Sequence, residues 1–278
     1  MMYKQVIVTL VLVVYGIYSY AQNSNKNYIE MRNEGISHMK KGEFSVADKK
    51  FKGANGFVEN TYEESEITRL RKQLSDSIYK AFNRGVGLAQ NAKSIKEYSS
   101  AVEELKKLIP TDNLNVSQVY RWLGYCYEHL NEPFAAIDYY NEGVKHNEAC
   151  SAIMLTSLLK KYKNVSDDSI RHLYNIAYRC YKQSGTNEDK YQMATLLITN
   201  KVSSNEDPIN ILQQLSDNNY ADAQFYLGLL FFHGEKVTKD ESKGLRLINL
   251  AKENGCDNAK RWLLERNEEL KKRNYIYR

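Results

Sequence analysis

The sequence predicts an all-α protein, an α-solenoid of antiparallel helix hairpins, and three observations carry that prediction. Composition is the first: 3 prolines and 14 glycines in 278 residues, with 26% charged and 42% hydrophobic side chains, favour helices over a sandwich or a disordered chain. The second is a recurring interval of small and large residues. Gly35 is followed by Ala47, Phe51 and Ala54, and Gly124 by Ala136, Tyr140 and Gly143 at the same spacing. Ala89, Ala101, Leu105 and Leu108 repeat it once more. Third, turn residues fall between the halves of each unit, Gly42 in "KKGEF" and Asn131–Pro133 in "LNEPF".

The elements follow in order. Residues 1–21 read as a secretory signal peptide. Lys4 precedes an apolar run at 6–18, and the small residues Ser19 and Ala21 come after it. The run is short for a bilayer span, which needs roughly 20 apolar residues. Cleavage after Ala21 is therefore expected, with an uncleaved membrane anchor as the alternative. The expected localisation is exported, either periplasmic or secreted.

Residues 22–148 carry the three copies of the interval. The physical basis is the packing of two antiparallel helices. A small residue on the first lets the second approach, and a large side chain one turn further on fills the space beyond. A charged stretch at 62–85 lengthens the first helix of the middle copy. These intervals resemble those of the tetratricopeptide repeat. "YRWLGYCYEHLNEPFAAIDYYNEGVKHNE" (120–148) places Leu123, Gly124, Tyr127, Ala136 and Tyr140 where that family expects them. "NEGISHMKKGEFSVADKKFKGA" (33–54) is similar, with His38 in place of the usual tyrosine.

Residues 149–220 read as degenerate helical hairpins from periodicity alone. Helices are expected over 151–162, 167–183, 189–202 and 207–218, the last with Asp207 as cap and Pro208 as first helical residue. Residues 221–278 begin with "FYLGLLFFHGEKVTKDESKG" (225–244), where Gly228 is followed by Gly244, Ile248 and Ala251. This is the same pattern with four residues added between the helices. It resembles a Sel1-like repeat, in which Gly228 packs inside a helix, Gly234 stops it and Asp240 caps the next. The final stretch, 258–273, reads as a polar capping helix with an apolar side at Trp262 and Leu263.

Motifs for chemistry are scarce. The five histidines contain no HExxH, and no glycine cluster follows the phosphate-loop or dinucleotide patterns. Cys126, His129, His146 and Cys150 have zinc-like spacing, but a hairpin separates their helix ends by roughly 15 Å. Catalytic, cofactor and metal residues are therefore assigned as none, and the chain is read as non-enzymatic. The formal charge of +5 is interleaved along the chain rather than gathered into a patch, so no nucleic-acid partner is expected.

The resemblance implies a protein or peptide partner held in a groove lined by the first helix of each hairpin. On that basis the candidate protein-binding residues are Arg32, Ile36, Met39 and Lys40, then Arg121, Tyr125 and Glu128. To these the spacing adds Phe225, Leu229 and Phe232, one stripe at i, i+4 and i+7. A membrane is a partner only if the N-terminal segment stays uncleaved. The competing expectation is a structural subunit of an envelope assembly anchored by that segment.

Overall fold

The structure, a computed structural model, describes residues 22–58, 60–109, 116–163 and 165–276. The expected signal segment lies outside them. The described residues form helices and the turns between them, with no strand among them. The first helix, α1, covers 22–40, followed by α2 (Phe44–Asn55), α3 (Thr61–Asn91), α4 (Ile95–Lys106), α5 (Val116–His129) and α6 (Pro133–Lys145). Then come α7 (Ala149–Tyr162), α8 (Asp167–Ser184), α9 (Asn187–Ile198), α10 (Pro208–Asp217), α11 (Ala221–His233), α12 (Glu241–Glu253) and α13 (Asp257–Ile276). Two compact units divide the chain after Ser151.

In the first unit α2 packs on α3, α3 on α4, α4 on α5 and α5 on α6, and α3 also touches α5, while α1 approaches α2 at Gly35 and Phe51. The core is a run of buried side chains at helical spacing. Tyr28 comes from α1, Phe44, Ala47, Phe51 and Ala54 from α2, and Ile67, Leu70, Leu74 and Ile78 from α3. Ala81 and Ala89 from the second half of α3 meet Ala101 and Leu105 of α4, and Val119, Leu123 and Cys126 of α5 close the cluster. Burial of the Cys126 thiol pushes its pKa up to about 12.

The close approaches foreseen from the spacing are present. A Cβ on Gly35 would lie 2.5 Å from the Phe51 ring, and one on Gly124 would lie 2.5 Å from the Tyr140 ring. On Gly228 it would meet Ile248 at 2.8 Å. In the middle hairpin Ala89, Ala101, Leu105 and Leu108 are all buried in the core, and Gly85 is a further small residue at the contact. Leu105 comes within 2.8 Å of the Cβ position of Gly85, one helical turn before Ala89. Gly228 and Ile248 are separated in sequence by the same interval as Gly85 and Leu105.

The second unit repeats the scheme, with α8 to α13 each packed on the next. Ala194 and Ile198 of α9, Leu212 and Leu215 of α10, and Ala223, Leu227 and Leu230 of α11 form one cluster. Ile248 and Ala251 of α12 with Cys256 and Ala259 form the next. Between them lies Gln224, fully buried, which periodicity did not single out. Its Nε2 donates to the Ser216 carbonyl at 3.0 Å and its Oε1 accepts from Asn254 Nδ2 at 2.8 Å. Both ends of the amide are satisfied, which makes a buried polar group tolerable.

Helix ends follow local chemistry. The Asp207 side chain accepts from the Ile209 amide at 2.9 Å with Pro208 in the first turn. The Asp240 side chain accepts from the Lys243 amide at 2.8 Å. At the other ends one motif recurs seven times among the described residues. Gly42, Asn131, Asn147, Asn200, Asn219, Gly234 and Gly255 all have positive φ. In each case the next amide donates to the carbonyl five residues back, at 2.9–3.0 Å. These are Schellman turns, and they satisfy carbonyls that the helix end leaves orphaned. Four of the seven use asparagine, which tolerates the left-handed region better than other side chains do.

Candidate functional site

Two surfaces carry the residues singled out from the sequence, one in each unit. In the first unit α1 and α5 place them. Arg32 is half-buried, and its Nη1 donates to Glu66 Oε2 of α3 at 2.9 Å, an oxygen that also accepts from the Tyr28 hydroxyl at 2.9 Å. Ile36 and Met39 pack against the core while Lys40 is exposed. Burial and the Glu66 carboxylate together push the Tyr28 phenol up to about 12.

On α5, Glu128 accepts from the Tyr140 hydroxyl of α6 at 2.5 Å. Burial first, and Glu128 second, raise the Tyr140 pKa far above that of a free phenol. Arg121 lies 5.4 Å over the Trp122 ring and 3.8 Å from Glu148. Tyr125 belongs to an aromatic group, half-buried apart from the exposed His129, that the sequence reading did not assemble. Its ring is 5.5 Å from Trp122, 4.2 Å from His129 and 6.3 Å from Tyr98 of α4. Tyr98 in turn stacks on His129 at 4.6 Å. Burial raises the Tyr125 pKa, with Tyr98 adding to the shift. Thus Arg32 and Glu128 hold the helices together, whereas Arg121, Trp122, Tyr125, Tyr98 and His129 form a continuous, partly exposed surface. The signal available in the sequence was the aromatic run "YRWLGYCYEH" itself.

In the second unit the stripe of α11 meets two neighbours. Phe225 and Leu229 pack with Trp262 and Leu263 against the buried cluster that includes Ile248 and Ala251 of α12. Phe232, at the end of the stripe, meets the Trp262 ring edge-on at 5.1 Å. The guanidinium of Arg266 stands 5.1 Å over Phe232 and 5.8 Å from the Trp262 centroid. Beyond these rings a cleft of about 400 Å³ opens between α11, the start of α12 and α13. Glu241, Glu265 and Glu269 line it along with the rings and Arg266, and His233 and Leu270 complete its wall. A hydrogen bond from Lys239, at 2.7 Å, holds the Glu241 carboxyl below the usual carboxylate range, and Arg266 adds to the effect. The stripe is therefore partly buried along its length and borders the cleft at Phe232. Of the cleft residues on α13 the sequence reading had marked only Trp262, as part of a cap. The spacing of Trp262, Glu265, Arg266 and Glu269, three and four apart on one helix face, was the available signal.

Among the described residues no three His, Cys, Asp or Glu side chains converge as metal ligands. No helix among them is long and apolar enough to cross a membrane.

No family model matches the sequence, and neither does any curated protein. Solved structures do. One is a protective antigen present in uropathogenic Escherichia coli strains displaying an SLR fold. It is 14% identical over 84% of this chain and 55% of its own, with a TM-score of 0.47. The chain thus spans about half the length of that protein. A Sel1 repeat protein from Oxalobacter formigenes is 17% identical over 82% of this chain and 86% of its own, with a TM-score of 0.45. YrrB, described as a TPR protein with an unusual peptide-binding site, is 16% identical over 66% and 94%, with a TM-score of 0.35. On its own helices, intervals and turns, the described part of the chain is an all-α array of antiparallel helix hairpins whose small-large intervals resemble those of tetratricopeptide and Sel1-like repeats.

Proposed function

We propose that this chain is an exported, non-enzymatic scaffold that binds proteins or peptides through the first helices of its hairpins. The observation that supports the reading most is the aromatic surface of α5. Trp122 and Tyr125 remain partly exposed beside Arg121 although the hairpin core is already filled by Leu123, Cys126 and Tyr140. Tryptophan, tyrosine and arginine on such a surface are the residue types that dominate protein recognition energetics. Crosslinking and co-purification of the tagged full chain from its native cells tests this. A partner enriched by the native chain and lost on Arg121→Ala with Tyr125→Ala is the expected result. If nothing is enriched over an unrelated helical control, the reading fails.

Export rests on the charge, apolar run and small residues of 1–21. Intact mass of the native protein should show a chain that begins at Gln22. The second reading, an anchored envelope subunit, draws on the same apolar run, and membrane-bound protein retaining Met1 would favour it.

A further inference from the structure

The cleft at the end of α11 pairs two aromatic faces with an excess of carboxylates. Glu241, Glu265 and Glu269 stand against the single guanidinium of Arg266. Glu241 is shared with Lys239, while no ion pair is seen for Glu265 or Glu269 among the described residues. Arg266 shows how a guanidinium sits against these rings: over Phe232 at 5.1 Å, at the edge-on junction with Trp262. An indole and a phenyl face attract cations through their quadrupoles. The remaining volume, about 400 Å³, lies beside Arg266 rather than being filled by it. The net negative wall disfavours a carboxylate ligand.

Resting on the scaffold reading above, we propose that this cleft receives an arginine or lysine side chain from a basic peptide segment of the partner. The incoming cation lies against Trp262 and Phe232 and is held at its tip by Glu265 and Glu269. Arg266 then serves as a positioning residue: it caps the junction of the two rings in the free protein and moves to Glu241 when the cleft is occupied.

Fluorescence anisotropy on the full chain tests this with three labelled peptides. One alternates glycine and arginine, one has citrulline for each arginine, and one has glutamate. At low salt the arginine peptide should bind, and the citrulline peptide, which keeps the shape but not the charge, should bind about tenfold more weakly. Glu265→Gln with Glu269→Gln should weaken the arginine peptide about tenfold. Because both side chains are exposed, that variant should melt like the native chain. Raising the salt to about 0.5 M should also weaken binding. The proposal is overturned if the citrulline or glutamate peptide binds as well as the arginine peptide. It is equally overturned if the double variant is unaffected or if no arginine peptide binds. A partner captured by crosslinking alongside a failed arginine titration would sink the cleft and leave the scaffold reading standing. Loss of all partners would sink the scaffold reading.

Discussion

Replacing Gly124 by alanine adds one methyl group, and the structure determines where it lands. The new carbon would sit 2.5, 2.6 and 2.8 Å from three atoms of the Tyr140 ring. The ring is fully buried, so it has nowhere to swing without moving α6, and its hydroxyl is tied to Glu128 at 2.5 Å. Three contributions compete. Alanine gains about 1 kcal/mol over glycine in a helix interior. Overpacking costs roughly 1–3 kcal/mol, and loosening a hydrogen bond to a carboxylate costs roughly 1.5–3 kcal/mol more. The balance is a loss of about 1.5–5 kcal/mol. Gly87 supplies the internal control, because it is also inside a helix but a Cβ there meets nothing within 4 Å. Gly87→Ala should therefore raise stability by roughly 0.5–1 kcal/mol. Urea unfolding followed by circular dichroism reads both. Adding Tyr140→Leu to Gly124→Ala should return part of the loss, since contacting residues are not additive. If Gly124→Ala stabilises as Gly87→Ala does, the close approach of α5 and α6 is wrong.

Three further outcomes follow from other features. Asn131→Ala should cost about 1–2 kcal/mol because its φ is +60°, whereas Asn131→Gly should be neutral or stabilising; equal urea midpoints for the two would contradict the Schellman assignment. Phe232→Ala should cost roughly 1–3 kcal/mol, less than a fully buried ring, and should speed hydrogen exchange in α13; unchanged exchange would show that the Trp262 contact does not hold α13. Stability should fall above about pH 10, because the folded-state pKa values of Tyr28 and Tyr140 are raised above the unfolded value. The sign follows from linkage: the unfolded phenols lose protons first, so the contribution is intact below their ordinary pKa and drains as pH climbs past it. Melting temperatures flat from pH 9 to 12 would contradict this.

How much of this was legible beforehand depends on the kind of signal. Small-large intervals exposed the hairpins because close packing leaves few choices of residue at the contact, as at Gly35, Gly124 and Gly228. Cap chemistry exposed Asp207, Gly234 and Asp240 for the same reason. Gly85 was passed over because two small residues one turn apart, Gly85 and Ala89, present the same face, and both are buried there. Gln224 carried no periodic signature, since its polarity hides a fully buried position. Arg32 and Glu128 looked like groove residues from their helix face alone, and their partners, Glu66 and Tyr140, sit 34 and 12 residues away. Of the α11–α13 cleft the sequence supplied Phe232, as the end of a stripe, and on α13 only Trp262, as part of a capping helix. A helix that is mostly charged reads as solvated until its neighbour is known.

The length of α3 has a mechanical consequence. At 31 residues it runs about 46 Å, while α2 and α4, which flank it, have 12 residues each. Its first half seats the carboxylate of Glu66, which grips α1, and its second half seats Gly85 against α4. One uninterrupted rod therefore splints two hairpins that in a regular array would meet only through a joint. Such arrays ordinarily fray one repeat at a time. Here a hairpin cannot peel from either half of the rod without loosening the other half's seat. The first two hairpins should open as one block, with matched amide-exchange free energies for residues on α2 and α4.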